Sequence, residues 1–243
     1  MDESENESQN DEENGCLVFM KMKFKEWLSY EFPCDEIIAG GSSVCGGDLP
    51  VKHPIGIAPQ SLKKFDTNLI KSHKNINELL CYQNVRKFAG GGTRRRKQLL
   101  KHINRHNFIT RDGWTINRHK VVDFNTFFES LLKHKFCISP EGNGIDCHRH
   151  YETILAKGIP IVNKPNEEYS NKRWGTNSYM EKYDNLPVLW TSNYKELSIE
   201  YLNNKYDEFM ETEFDFAVMT KSYWQKKSPN FEECTNYWME KFK

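Results

Sequence analysis

The sequence predicts an α/β chain built on a mainly parallel sheet, Rossmann-like in its alternation, and three observations lead there. Short β-branched runs alternate with segments of helical period from about residue 79 onward. Residues 136–162, FCISPEGNGIDCHRHYETILAKGIPIV, read as strand, loop, helix, strand within one continuous run. Two glycine-rich turns, Gly90-Gly91-Gly92 and Gly142-Asn143-Gly144, follow predicted strands, where open α/β sheets place their ligands.

The elements follow in order. Residues 1–16 form an acidic tail with little to pack and are expected to be disordered. Over 17–32, Met20, Phe24, Trp27 and Leu28 fall on one face of a predicted helix, with Lys21, Lys23 and Lys25 on the other. Pro50, Pro54 and Pro59 make 39–61 mostly loop, with a short extended piece at 55–58. Residues 17–74 thus read as a truncated N-terminal lobe or docking segment, and 75–243 as the main domain. That domain begins with a strand at 79–85, a helix at 93–106 and a strand at 108–110. A helix at 123–134 follows, turning Phe127, Phe128, Leu131 and Leu132 inward. The strand at 136–139 ends at Ser139-Pro140, and Asp146 stands where a helix N-cap belongs. Tyr151, Ile154 and Leu155 continue at helical spacing, Gly158 stops the helix, and 159–162 resumes as a strand. A strand at 187–190 and helices at 195–210 and 216–225 complete the alternation.

Composition bounds the setting. The 243 residues are long enough to bury a core, and 13% aromatics oppose disorder over most of the length. Net charge is zero, but residues 1–14 hold seven acids and no base, leaving 34 bases against 27 acids elsewhere. The remainder is therefore basic, which suits an anionic ligand. Seven cysteines without CxxC spacing read as thiols in a reducing compartment. No run of apolar residues is long enough to span a bilayer, and the acidic start does not read as a secretory leader. A soluble, cytoplasmic protein is expected.

Two constellations carry chemistry. In GGGTRRRKQLLKHINRH, glycines followed by a basic helix start favour phosphate, with Arg94, Arg95 and Arg96 as diphosphate candidates. The loop matches neither the Walker pattern nor the strict dinucleotide pattern, and a surface turn before a solvated helix is the alternative. Basic residues continue through Lys101, Arg105, Arg111, Arg118 and Lys120, but only Phe108 and Trp114 lie among them. A nucleic-acid partner is therefore disfavoured. The second constellation is Asp146, Cys147, His148, Arg149, His150 and Glu152. His150-Tyr151-Glu152 has the H-x-E form of zinc deaminases but lacks the later P-C-x-x-C, so no metal is expected. A nucleotide sugar fits better: Arg149 in the first helical turn to grip a diphosphate, Glu152 three residues on for ribose hydroxyls, and His148 for phosphate or sugar. The plainer alternative has Asp146 capping and Glu152 pairing with Arg149.

The segment SPEGNGIDCHRHYETILAKGIPIV resembles the signature of exostosin-like glycosyltransferases, of the form S-P-x-G-x-G-x-D-x-x-R-x-x-E. Ser139, Pro140, Gly142, Gly144, Asp146, Arg149 and Glu152 stand in those places, with Gly158, Pro160, Ile161 and Val162 following. It is most similar to short soluble forms found in large DNA viruses and protists, and the likeness extends over residues 50–224. The resemblance implies a GT-B-type fold whose nucleotide-sugar-binding lobe is 75–243. The donor would be held by Ser139, Gly142, Asn143, Gly144, Asp146, His148, Arg149 and Glu152. It also implies sugar transfer from a nucleotide diphosphate to a glycan or protein-linked acceptor, with no metal and no cofactor beyond the donor. The first lobe is far shorter than such enzymes carry, so a partner chain or oligomer completing the acceptor lobe is a further expectation. An inverting member needs a general base, and Asp35, Glu36, Asp48 and His53 all remain open. A catalytically inactive nucleotide-sugar or glycan-binding module and a nucleic-acid-binding protein are the alternative functions.

Overall fold

Apolar runs short enough for strands and periodic segments long enough for helices do alternate in space as they do in sequence. The computed structural model describes residues 20–39, 56–66, 68–69, 77–83, 93–103, 105–111, 123–141, 146–164, 183 and 185–227. Along the chain these form β1 (Lys21–Lys23), α1 (Phe24–Trp27), α2 (Pro59–Leu62), β2 (Leu79–Gln83), α3 (Thr93–Ile103) and β3 (Ile109–Arg111). They continue as α4 (Phe124–Leu132), β4 (His134–Ile138), α5 (His148–Leu155), β5 (Ile159–Asn163) and β6 (Leu189–Thr191). The last elements are α6 (Ile199–Glu211), β7 (Glu213–Asp215) and α7 (Lys221–Lys227). Five strands make one sheet in the order β3-β2-β4-β5-β6, with every neighbouring pair parallel. The expected Rossmann-like α/β class is therefore present. Parallel strands buried on both faces explain the near-continuous apolar runs of β4 and β5.

The chain runs outward from β2 to β3, then returns past β2 to β4 and continues the other way. α4 and α5 lie side by side, and α6 packs on β2 and against α1.

The predicted helix over 17–32 is not one helix. Residues 21–23 extend as β1 and pair antiparallel with β7, a strand with no clear sequence signal, and only Phe24–Trp27 turn helical. Pairing with Phe214 buries Phe24 and Trp27 as well as a helix would, so tertiary contact overrides the period. The predicted helix at 195–210 divides into a 3-10 turn, Tyr194–Glu196, and α6. Ser198 caps α6 by accepting from the Tyr201 amide, 3.1 Å away. The predicted helix at 216–225 likewise divides into a 3-10 turn, Phe216–Met219, and α7.

α5 ends as the sequence predicts, but by a different residue. Lys157, not Gly158, holds the left-handed conformation at φ +64°. Its amide donates to the Ile154 carbonyl while the Gly158 amide donates to the Thr153 carbonyl, both at 2.9 Å, the paired bonds of a Schellman end. Gly158 is required for closeness: a Cβ there would meet the His134 carbonyl oxygen and Thr153 Cγ2 at 3.2 Å.

Residues 20–39 and 56–69 do not form a core of their own. Met20, Phe24, Trp27, Phe32, Ile37 and Ile57 belong to the same buried cluster as the sheet. Trp27 stacks on Phe216 with centroids 4.0 Å apart, and its indole N–H donates to the Ile154 carbonyl at 3.1 Å. Phe65 packs on Phe124 and Phe128 of α4.

Candidate functional site

The chain reverses direction between β2 and β4, and open α/β sheets bind ligands at the carboxyl ends of the strands flanking such a switch point. The residues after β4 and the start of α5 lie at this point, as does the start of α3. Gly142, Asn143 and Gly144 lie outside the described residues, as do the side chains of Arg94 and Arg95.

Both feet of that glycine segment are anchored. On the strand side, Ser139 is fully buried, and its Oγ lies 2.6 Å from Nδ1 of His150, also fully buried. Arg96 reaches from α3, donating through Nε to the Glu141 carbonyl at 2.9 Å and through Nη2 to the Pro140 carbonyl at 3.4 Å. On the helix side, the Asp146 carboxylate does not cap α5. The N-cap residue is Cys147, without a side-chain cap bond. Asp146 instead accepts from the Tyr151 hydroxyl at 3.0 Å and from the Tyr183 hydroxyl, so two phenols replace the amides a capping role would supply. Ser139, Asp146 and Arg96 thus brace the segment in this structure, Ser139 wholly out of reach of solvent.

His148, Arg149 and Glu152 share the first two turns of α5. Nδ1 of His148 lies 2.8 Å from the Gly56 carbonyl oxygen. A carbonyl only accepts, so Nδ1 carries the hydrogen of this bond. Gly56 holds φ +59°, and a Cβ there would meet the Ile38 carbonyl oxygen at 2.3 Å, so only glycine brings that carbonyl to the histidine. The Arg149 guanidinium lies over the Phe127 ring, 4.6 Å from its centroid. Glu152 is buried, which raises its carboxyl above the usual range, while the positive charges of Arg149 and then His148 pull it back. Burial lowers the Arg96 guanidinium from its ordinary value, and the charge of Arg149 adds to that direction.

The Cys/His/Glu group does not converge as metal ligands would. His150 turns to Ser139, His148 to Gly56 and the Cys147 thiol to the Pro140 carbonyl at 3.7 Å. Among the described residues no group of three or more His, Cys, Asp or Glu is placed to hold a metal ion. Cys34, Cys81, Cys137 and Cys147 are thiols, and no described helix is long and apolar enough to cross a membrane.

Of the open general-base candidates, Glu36 is committed elsewhere: its carboxylate accepts from the Ser222 amide at 2.9 Å and hydroxyl at 2.7 Å. Asp48 and His53 lie outside the described residues. Sequence reasoning singled out His150 but not its bond to Ser139, 11 residues away, and missed Tyr183, which reaches Asp146 across 37 residues, and Tyr194. It also missed that Arg96 holds carbonyls. No protein-family model matches the chain, and no curated protein sequence matches it.

Proposed function

We propose that this chain is a nucleotide-sugar-dependent glycosyltransferase of GT-B type, transferring a sugar to a glycan or protein-linked acceptor. The observation that carries the reading is that Arg149 and Glu152 lie on the opening turns of α5, which follows β4 beside the point where the sheet order reverses. Arg149 and the α5 amides would meet the diphosphate and offset the charge that develops as it leaves. Glu152, kept from water, would accept the ribose hydroxyls. His148 presents Nε2 as a proton acceptor or, once charged, as a donor, with its ring direction set by Gly56. The glycine segment between the braced feet would lie against the donor. The resemblance of residues 139–162 to exostosin-like enzymes supports the same reading.

Isothermal titration with nucleoside diphosphates and nucleotide sugars tests it, alongside donor hydrolysis. The expected result is saturable binding by the wild type, weakened about tenfold or more by Arg149→Ala and by Glu152→Ala. Absence of binding at millimolar ligand, or unchanged binding in both variants, overturns it. Binding without hydrolysis or transfer assigns the chain instead to a catalytically inactive nucleotide-sugar-binding module.

A further inference from the structure

Tyr194 opens the 3-10 turn after β6, held there by Asn193, whose side chain accepts from the Lys195 amide at 3.0 Å. The residue is 8% exposed. Its hydroxyl is sealed from water; the Asn163 amide at the end of β5 approaches the oxygen, but the hydroxyl hydrogen has no acceptor. An unpaired buried hydroxyl costs about 1–3 kcal/mol, and native proteins keep few of them. Phenylalanine would fill the same space without that cost, so the hydroxyl calls for a reason.

Its surroundings supply one. The 3-10 turn packs against α3, and the charged groups facing the phenol are Glu141, Arg96 and the Cys147 thiol. Burial first, and Glu141 second, hold the phenol protonated and hence a donor. Arg96 spends its Nε and one Nη2 hydrogen on carbonyls, out of five N–H donors on a guanidinium. Cys147, the N-cap of α5, makes no side-chain cap bond, and the amides at that helix end carry its partial positive charge. Arg149 adds a second guanidinium whose charge is felt at Arg96. Against these, Glu141 is the one carboxylate acting on the phenol. An arriving anion would relieve the repulsion between the arginines and give the sealed hydroxyl a bond, with no water bond lost in exchange. Arg96 and Cys147 are both half-buried.

We propose that Tyr194, Arg96 and the start of α5 form a phosphoryl-oxyanion subsite in which the Tyr194 hydroxyl donates to the oxyanion. This deepens the proposed function and rests on it for the identity of the physiological ligand, a nucleoside diphosphate group. The subsite itself is open to a simpler probe.

Thermal unfolding and isothermal titration of wild type and Tyr194→Phe, with inorganic pyrophosphate against sodium chloride of equal ionic strength, test it. The expected signature is opposed: Tyr194→Phe raises the melting temperature of the unliganded protein by a few degrees and weakens pyrophosphate about tenfold or more. Arg96→Gln weakens pyrophosphate likewise. Equal pyrophosphate affinity in wild type and Tyr194→Phe overturns the proposal, as does absence of saturable pyrophosphate binding by wild type. If pyrophosphate binds through Tyr194 but no nucleotide or nucleotide sugar binds more tightly, the transferase reading fails while the subsite stands. If nucleotide sugars bind through Glu152 and Tyr194→Phe changes nothing, the subsite fails while the transferase reading stands.

Discussion

Lys157 offers the sharpest physical test of the fold. Its residue is 1% exposed, its ammonium lies 3.5 Å from the centroid of the Trp27 ring, and it donates to the Tyr30 carbonyl at 2.7 Å. Burial lowers its pKa from 10.5 to about 7. Below pH 7 both folded and unfolded chains carry the proton, and the burial cost is present in full. Between about 7 and 10.5 the folded chain sheds the proton while the unfolded chain keeps it, so stability rises with pH. At about 1.4 kcal/mol per pH unit the whole interval amounts to roughly 5 kcal/mol. The Trp27 face favours the ammonium by about 2 kcal/mol in a desolvated setting, leaving a climb of about 3 kcal/mol. Lys157→Met keeps the side-chain length and the same left-handed backbone but removes the charge. Urea unfolding of both proteins from pH 6.5 to 9.5 should show the wild type gaining about 1–2 kcal/mol on the variant as pH rises. A difference that stays constant across that range would refute the reasoning.

Other perturbations have equally definite outcomes. Trp27→Ala removes a stack on Phe216 and a bond to Ile154, and should cost about 3–5 kcal/mol in urea unfolding. Ser139→Ala strands the buried His150 nitrogen and should cost about 1–3 kcal/mol; in a double-mutant cycle with His150→Phe most of that loss should vanish. Gly56→Ala forces a Cβ against the Ile38 carbonyl at positive φ, and should destabilise by more than 1 kcal/mol. The same change should alter the His148 ring-nitrogen NMR shifts, since the Nδ1 bond to residue 56 is lost.

What the sequence made legible was what local chemistry determines. The apolar runs at Phe136–Ile138 and Ile159–Val162 had to be strands, since their β-branched and aromatic side chains are buried on both faces. The strand at 136–139 and the helix after it were legible as a βαβ unit, because its geometry leaves little choice. Pairing of distant segments was not legible. β1 reads as helix because Met20, Phe24 and Trp27 keep a helical period, yet a partner strand about 190 residues away takes precedence. Asp146 reads as a cap because any aspartate before a helix does; only Tyr183, 37 residues on, shows why it turns inward. In the same way Arg96 reads as a phosphate ligand by its position in a basic run, while its bonds to Pro140 and Glu141 depend on packing that no spacing records.

The described N-terminal residues bear directly on the candidate site. They run along the crossover helix and tie down both of its ends: Gly56 holds His148 at the start, and Trp27 and Tyr30 hold Ile154 and Lys157 at the finish. Between those ties, Phe32, Ile37, Ile38, Ile57 and Met219 close over Tyr151 and Leu155 around a small apolar cavity. α5 is only eight residues long, too short to hold itself in water, so its position comes from these contacts and from the sheet. The positions of Arg149 and Glu152 on that helix, and the ring orientation of His148, are therefore set by Trp27, Tyr30 and Gly56 as much as by the βαβ unit. A change at Trp27 or Gly56, remote from any ligand, should move the site along with stability. A ligand gripping the start of α5 should in turn protect the Trp27 and Tyr30 amides from hydrogen exchange.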